Sequence, residues 1–122
     1  PTLCRAANLT PAADLDGADL GPMLKGGANP NRHEPMIWEF AGYGGQVAIR
    51  DGAWKAIRQG INRKQPSPWQ LYQIDKDPSE STNIAGQYPD VVTRLETAYL
   101  ESRIPETDFP SRLYDKSSPA TQ

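Results

Sequence analysis

The pair Asp51-Gly52, set between Val47-Ala48-Ile49-Arg50 and Ala53-Trp54-Lys55-Ala56-Ile57-Arg58, restricts this chain more than any other feature. A mirrored two-residue turn wants positive φ at both central residues, and Gly adopts that without a Cβ clash. On either side the residues alternate. Val47 and Ile49 face one way, Ala48 and Arg50 the other, and Trp54 and Lys55 divide in the same manner. Alternation of period two around such a turn predicts a half-buried antiparallel hairpin.

Two further stretches read as strands. In Met36 to Phe40, Met36, Trp38 and Phe40 share one face, while Ile37 and Glu39 share the other. Glu39, lying between Trp38 and Phe40, either faces solvent or, the favoured reading, pairs across the sheet with a cation such as Arg50 or Lys55. Trp69 to Ile74 is the fourth strand, with bulky residues on both faces. Gln87 to Ser102 is the one full helix. Pro89 opens it, Asp90 suits the positive end of its dipole, and Pro105 bars continuation. Val91, Leu95, Ala98 and Tyr99 form the stripe that covers the sheet. The fold class is therefore α+β: a four-stranded antiparallel sheet packed against one C-terminal helix, with an irregular N-terminal segment and tail.

The connections are long. Pro1 to Ala7 suits a short helix, with Asn8 able to stop it. A second short helix over Gly21 to Lys25 would bury Leu20, Met23 and Leu24. Asp14, Asp16 and Asp19 resemble a calcium loop at first sight, but the Gly and closing Glu of EF-hand spacing are missing, so they read as solvated capping carboxylates. Ala41 to Gly45 is a flexible loop whose three glycines flank Tyr43 and let the backbone pass close to a neighbour or ligand. Arg63 and Lys64 lie on a polar loop and read as solvated cations. Asp77, ahead of Pro78, suits a helix N-cap, with Glu80 in reciprocal capping spacing and Asn83 ending the turn in the left-handed region. The Ser- and Pro-rich stretch to Gln122 reads as a loose tail.

Composition narrows the function classes. A net charge of -2 over 122 residues gives no pull toward nucleic acid or anionic lipid. No apolar run approaches the roughly 20 residues of a membrane helix. A hydrophobic fraction of 37%, with 12 Pro and 10 Gly, predicts a modest core. Cys4 is the only cysteine, so no internal disulfide forms, and His33, the only histidine, stands far from it in sequence. From the residues alone this is a small module without an evident active site. It reads as a piece of something larger.

The ordered set Trp38-Glu39-Phe40, Ala48 to Lys55, Leu71-Tyr72 and Asp77 to Asn83 resembles the C-terminal subdomain of the formylglycine-dependent sulfatases, a branch of the alkaline phosphatase superfamily. Pro1-Thr2-Leu3, Asp16 to Leu20 and Pro22 to Gly26 extend the resemblance from Pro1 to about Leu95. It implies that residues 1–35 continue an upstream domain, that 36–104 form the sheet-and-helix subdomain, and that 105–122 are an extended tail. It also implies that the chemistry lies on an upstream catalytic domain holding formylglycine and calcium. That domain, on the same or a separate chain, would be this segment's partner, and its substrate would be a sulfated small molecule or glycan. The family's Cys/Ser-x-Pro-x-Arg motif is missing here, since Cys4 is followed by Arg5-Ala6-Ala7-Asn8. No catalytic residue and no metal ligand is therefore expected in this chain. His33 and Tyr43 are the candidate substrate contacts, while Arg50 and Lys55 are expected to pair with Glu39 or Asp51. Many such enzymes are periplasmic, secreted or lysosomal, and the resemblance leaves the compartment of this chain open, the cytoplasm included. A phosphonate or phosphate monoester hydrolase with a similar tail, and a stand-alone interaction or sugar-binding module, stay open as alternatives.

Overall fold

The computed structural model describes residues 1–15, 17–28 and 35–115, which fall into two compact units, 1–34 and 35–122. The first unit holds two short helices, α1 (Thr2–Ala6) and α2 (Gly21–Leu24). Asn8 ends α1 in the left-handed region at φ 56°. The hydroxyl of Thr2 accepts from the Leu20 amide at 2.9 Å, which ties the two helices together. Neither helix buries a side chain. The expected apolar face of α2 is thus not formed: Leu24 is 72% exposed, and Leu20 and Met23 are open as well. One turn of helix is too short to gather a stripe of its own.

The second unit carries β1 (Met36–Phe40), β2 (Gln46–Asp51), β3 (Trp54–Gln59), β4 (Gln70–Gln73) and α3 (Pro89–Ser102). The strands lie in the order β1-β2-β3-β4, every pair antiparallel. Asp51 pairs with Trp54, so the hairpin turn is Gly52-Ala53 rather than Asp51-Gly52. Only Gly52 takes positive φ there, at 58°. A mirrored turn with glycine first needs one left-handed residue instead of two.

The alternation of period two is borne out. Val47, Ile49, Ala56 and Leu71 are buried on the face that receives Leu95 and Tyr99 of α3. Val91 and Val92 pack at the rim of the same core, with Ile61 and Trp69 closing it from the loop side. Register places Met36, Trp38, Ala48, Arg50 and Lys55 on the opposite face.

Two connections differ from expectation. Asp77 caps a turn, not a helix. Its carboxylate accepts from the amides of Ser81 at 3.1 Å and Thr82 at 2.9 Å. Glu80, not Asn83, takes the left-handed conformation, at φ 53°, and its side chain turns to Lys55. The Asn83 side chain instead accepts from the Leu71 and Ala85 amides, both at 3.0 Å, and fastens the loop to β4. The chain after α3 also returns to the body. Leu113 donates to the Ile61 carbonyl at 3.0 Å, and Ser111 is buried.

Candidate functional site

The loop between β1 and β2 is a built structure, not a floppy tip. Gly42–Gly44 form a single 3₁₀ turn, closed by the Gly45 amide donating to the Gly42 carbonyl at 2.9 Å. The loop is then clasped by the segment after β3. The Gly45 carbonyl accepts from Gly60 at 2.7 Å and Ile61 at 3.2 Å, and the Gly44 carbonyl accepts from Asn62 at 2.8 Å. A Cβ on Gly45 would lie 2.6 Å from Ile61 Cγ1, so close backbone approach is what its glycine provides.

Tyr43 sits at the crest. Its backbone is left-handed (φ 55°, ψ 26°), a conformation that costs a non-glycine residue roughly 1–2 kcal/mol. The side chain is 90% exposed. Arg63 donates from Nη2 to the Tyr43 carbonyl at 3.0 Å, so this cation holds the loop instead of facing water alone. The Phe40 ring lies 6.3 Å from that of Tyr43, tilted at 45°. His33, the other sequence candidate, lies outside the described residues.

Beside Phe40, a cleft of about 520 Å³ opens between the end of β1 and the chain after α3. Glu39 and Arg103 line it together with Phe40, Ile104, Glu106 and Phe109. Arg103 is its electrostatic centre. It donates to Glu39 from Nε at 2.9 Å and to Asp115 from Nη2 at 2.7 Å. The hydrogen bonds to Asp115, then those to Glu39, raise the guanidinium pKa further above its ordinary value. The Arg103 hydrogen bond holds the Asp115 carboxyl below the usual carboxylate range. The Tyr99 hydroxyl donates to Glu39 at 2.7 Å, and burial first, then Glu39, pushes its pKa up.

This geometry corrects the cross-sheet pairing. Glu39 points to the α3 side and is held by Arg103 and Tyr99. Arg50 and Lys55 lie on the far face, where alternation keeps them from Glu39. Lys55 pairs with Glu80, and Asp51 pairs with Arg94 of α3. Arg50 makes no ion pair among the described residues, and its Nε reaches only the Gly52 carbonyl at 3.3 Å. Sequence reasoning passed over Phe40 as a site residue and did not single out Phe109 or Glu106. An aromatic ending a strand beside a glycine loop was the available signal for Phe40; Phe109 and Glu106 carried none. Among the described residues, no group of three or more His, Cys, Asp or Glu side chains could hold a metal ion.

No family model matches the chain. Choline-sulfatase of Rhizobium meliloti (strain 1021) is 38% identical over 73 residues, which are 57% of this chain and 13% of that protein. Arylsulfatase K of Danio rerio is 32% identical over 119 residues, or 91% of this chain and 21% of that protein. The chain is a sulfatase homologue. Its fold agrees: the solved structure of BT4656 in complex with its substrate D-glucosamine-2-N,6-O-disulfate is 25% identical, with a TM-score of 0.63 over 84% of this chain and 22% of that one. This sulfatase homologue thus spans about a fifth or less of the curated relatives it matches.

Proposed function

We propose that this chain serves as the C-terminal subdomain of a sulfatase, completing the fold of a catalytic domain that cleaves a sulfate ester of an aryl or carbohydrate substrate. Formylglycine and calcium belong to that catalytic domain, as does the reaction. This chain's part is to close the fold and to border the substrate cleft with the Gly42–Gly45 loop, offering Tyr43 and His33 to the substrate.

One observation carries the reading. α3 covers one face of the sheet, and on the other the indole of Trp38 is 51% exposed, near Arg50, which makes no ion pair among the described residues. A large aromatic on a strand, left half in water, is what a sheet shows when a second layer is wanting. The matched part is about a fifth of arylsulfatase K and of the BT4656 structure, so those proteins have further chain from which such a layer could come.

The test is a chimera of Danio rerio arylsulfatase K in which this chain replaces the matching segment. The chimera should turn over an aryl sulfate where the segment-deleted enzyme does not, and Trp38→Lys should abolish the gain. A folded chimera without turnover overturns the reading.

A further inference from the structure

We propose that Tyr43, Phe40 and Phe109 form a glycan platform, with the cleft beside Phe40 taking an uncharged sugar ring. This rests on the reading above and names which part of a carbohydrate substrate the segment would hold.

The three rings are open to water: Tyr43 by 90%, Phe40 by 52% and Phe109 by 66%. They are not scattered. Phe40 and Tyr43 are ring neighbours at 6.3 Å, and Phe40 and Phe109 border one cleft. The Phe40 ring and the Tyr43 backbone are placed before any ligand arrives. A Cβ on Gly42 would stand 2.6 Å from the Phe40 ring, so that ring rests on bare backbone. Tyr43 is held in its left-handed position by the clasp to Gly60, Ile61 and Asn62. Pre-set aromatic faces gain more on binding because less side-chain freedom is lost.

The charge in the cleft chooses the ligand. Among the described residues that line it, the one cation, Arg103, already faces two carboxylates, Glu39 and Asp115. Glu106 adds a third carboxylate to the neighbourhood. An anion such as a sulfate group would meet surplus negative charge there. A neutral pyranose presents C–H faces to Phe40 and Phe109 and hydroxyls that donate to the carboxylates. A purely apolar partner would leave Glu106 facing a dry surface without compensation. The sulfated end of a substrate would therefore point away, with the cleft reading an unsulfated neighbour in the glycan.

The experiment titrates the full 122-residue chain with unsulfated hexasaccharides of N-acetylglucosamine, galactose and glucose, followed by NMR and calorimetry. At least one should bind, with an affinity that hardly changes from low to high salt. Phe40→Ala, Tyr43→Gly and Phe109→Ala should each weaken it by about five- to tenfold, the range of an aromatic contact. Urea unfolding of each variant separates lost contact from lost fold. Phe109→Ala, on an exposed connection, is the decisive case if Phe40→Ala unfolds. No binding at millimolar sugar overturns the proposal. So does binding that survives all three changes, or binding confined to sulfated sugars and lost in salt. None of these outcomes touches the chimera result, so the two readings fail separately.

Discussion

Arg103, the residue directly after α3, donates from Nε to Glu39 Oε2 at 2.9 Å on the edge strand β1. Nη1 and Nη2 donate to Asp115, thirteen positions past the end of the helix and already on the returning chain, and Nη2 also reaches Glu39 at 3.2 Å. One guanidinium thus joins the first strand, the last helix and the segment that follows it. Its side chain is only 8% exposed, so removing it leaves two carboxylates facing each other with little water. Arg103→Met should destabilise the chain by about 2–4 kcal/mol, somewhat less than a fully buried pair because Glu39 keeps partial access to solvent. Urea unfolding at neutral pH measures it. A loss under about 0.5 kcal/mol would mean that the network is ornamental.

The same network sets an acid limit. In the folded chain Asp115 has a depressed pKa, chiefly through Arg103 and also through the Ser111 amide. In the unfolded chain it returns to about 3.9. A depressed folded value means that the folded state binds protons less readily than the unfolded one. The stabilisation is therefore whole above about pH 5 and is lost as pH falls through the unfolded and then the folded value. Asp77 is shifted the same way by the Ser81 and Thr82 amides and adds to the slope. Asp115→Asn should lower stability at neutral pH and flatten its fall below about pH 4. Unfolding midpoints taken across that range check the sign; an unchanged acid slope would remove Asp115 from the account.

The helix holds the sheet through few residues. Leu95 and Tyr99 are wholly buried against Val47, Ile49 and Leu71. Leu95→Ala should cost about 2–4 kcal/mol, the range for a large-to-small change in a packed core. A loss below about half a kcal/mol in the same urea experiment would show that α3 is not the sheet's cover.

Much of the frame was legible because it obeys local rules. Alternation placed Val47 and Ile49 inside, and helical spacing placed Leu95 and Tyr99 against them. What escaped depends on side chains distant in sequence. Glu39 finds Arg103, 64 positions away, and no pattern within a strand announces that. The turn slipped by one residue because strand pairing, not dipeptide preference, chose Gly52-Ala53. Asp77 and Glu80 match a capping box in type and spacing, yet Glu80 is drawn off by Lys55 and the helix does not form. Tyr43 was visible as a candidate from its glycine neighbours. Its clasp was not, because Gly60, Ile61 and Asn62 reach it only through the fold.

That clasp makes the last prediction. Tyr43 holds a left-handed backbone that a Cβ disfavours, and the glycines around it absorb the geometry. Tyr43→Gly removes the clash while adding chain entropy to the unfolded state. The two effects oppose, so the net change should be small, at most about 1 kcal/mol of gain. Gly45→Ala has no such compensation. It places a methyl 2.6 Å from Ile61 Cγ1 at φ 79°, inside the contact that joins the loop to the core. It should cost more than about 1 kcal/mol, and it should loosen amide protection at Ile61 and Asn62, whose hydrogen bonds end on this loop. Hydrogen exchange resolved by residue reads this directly. If Gly45→Ala leaves those amides protected while Tyr43→Gly frees them, then the tyrosine ring, not the backbone clasp, holds the loop in place.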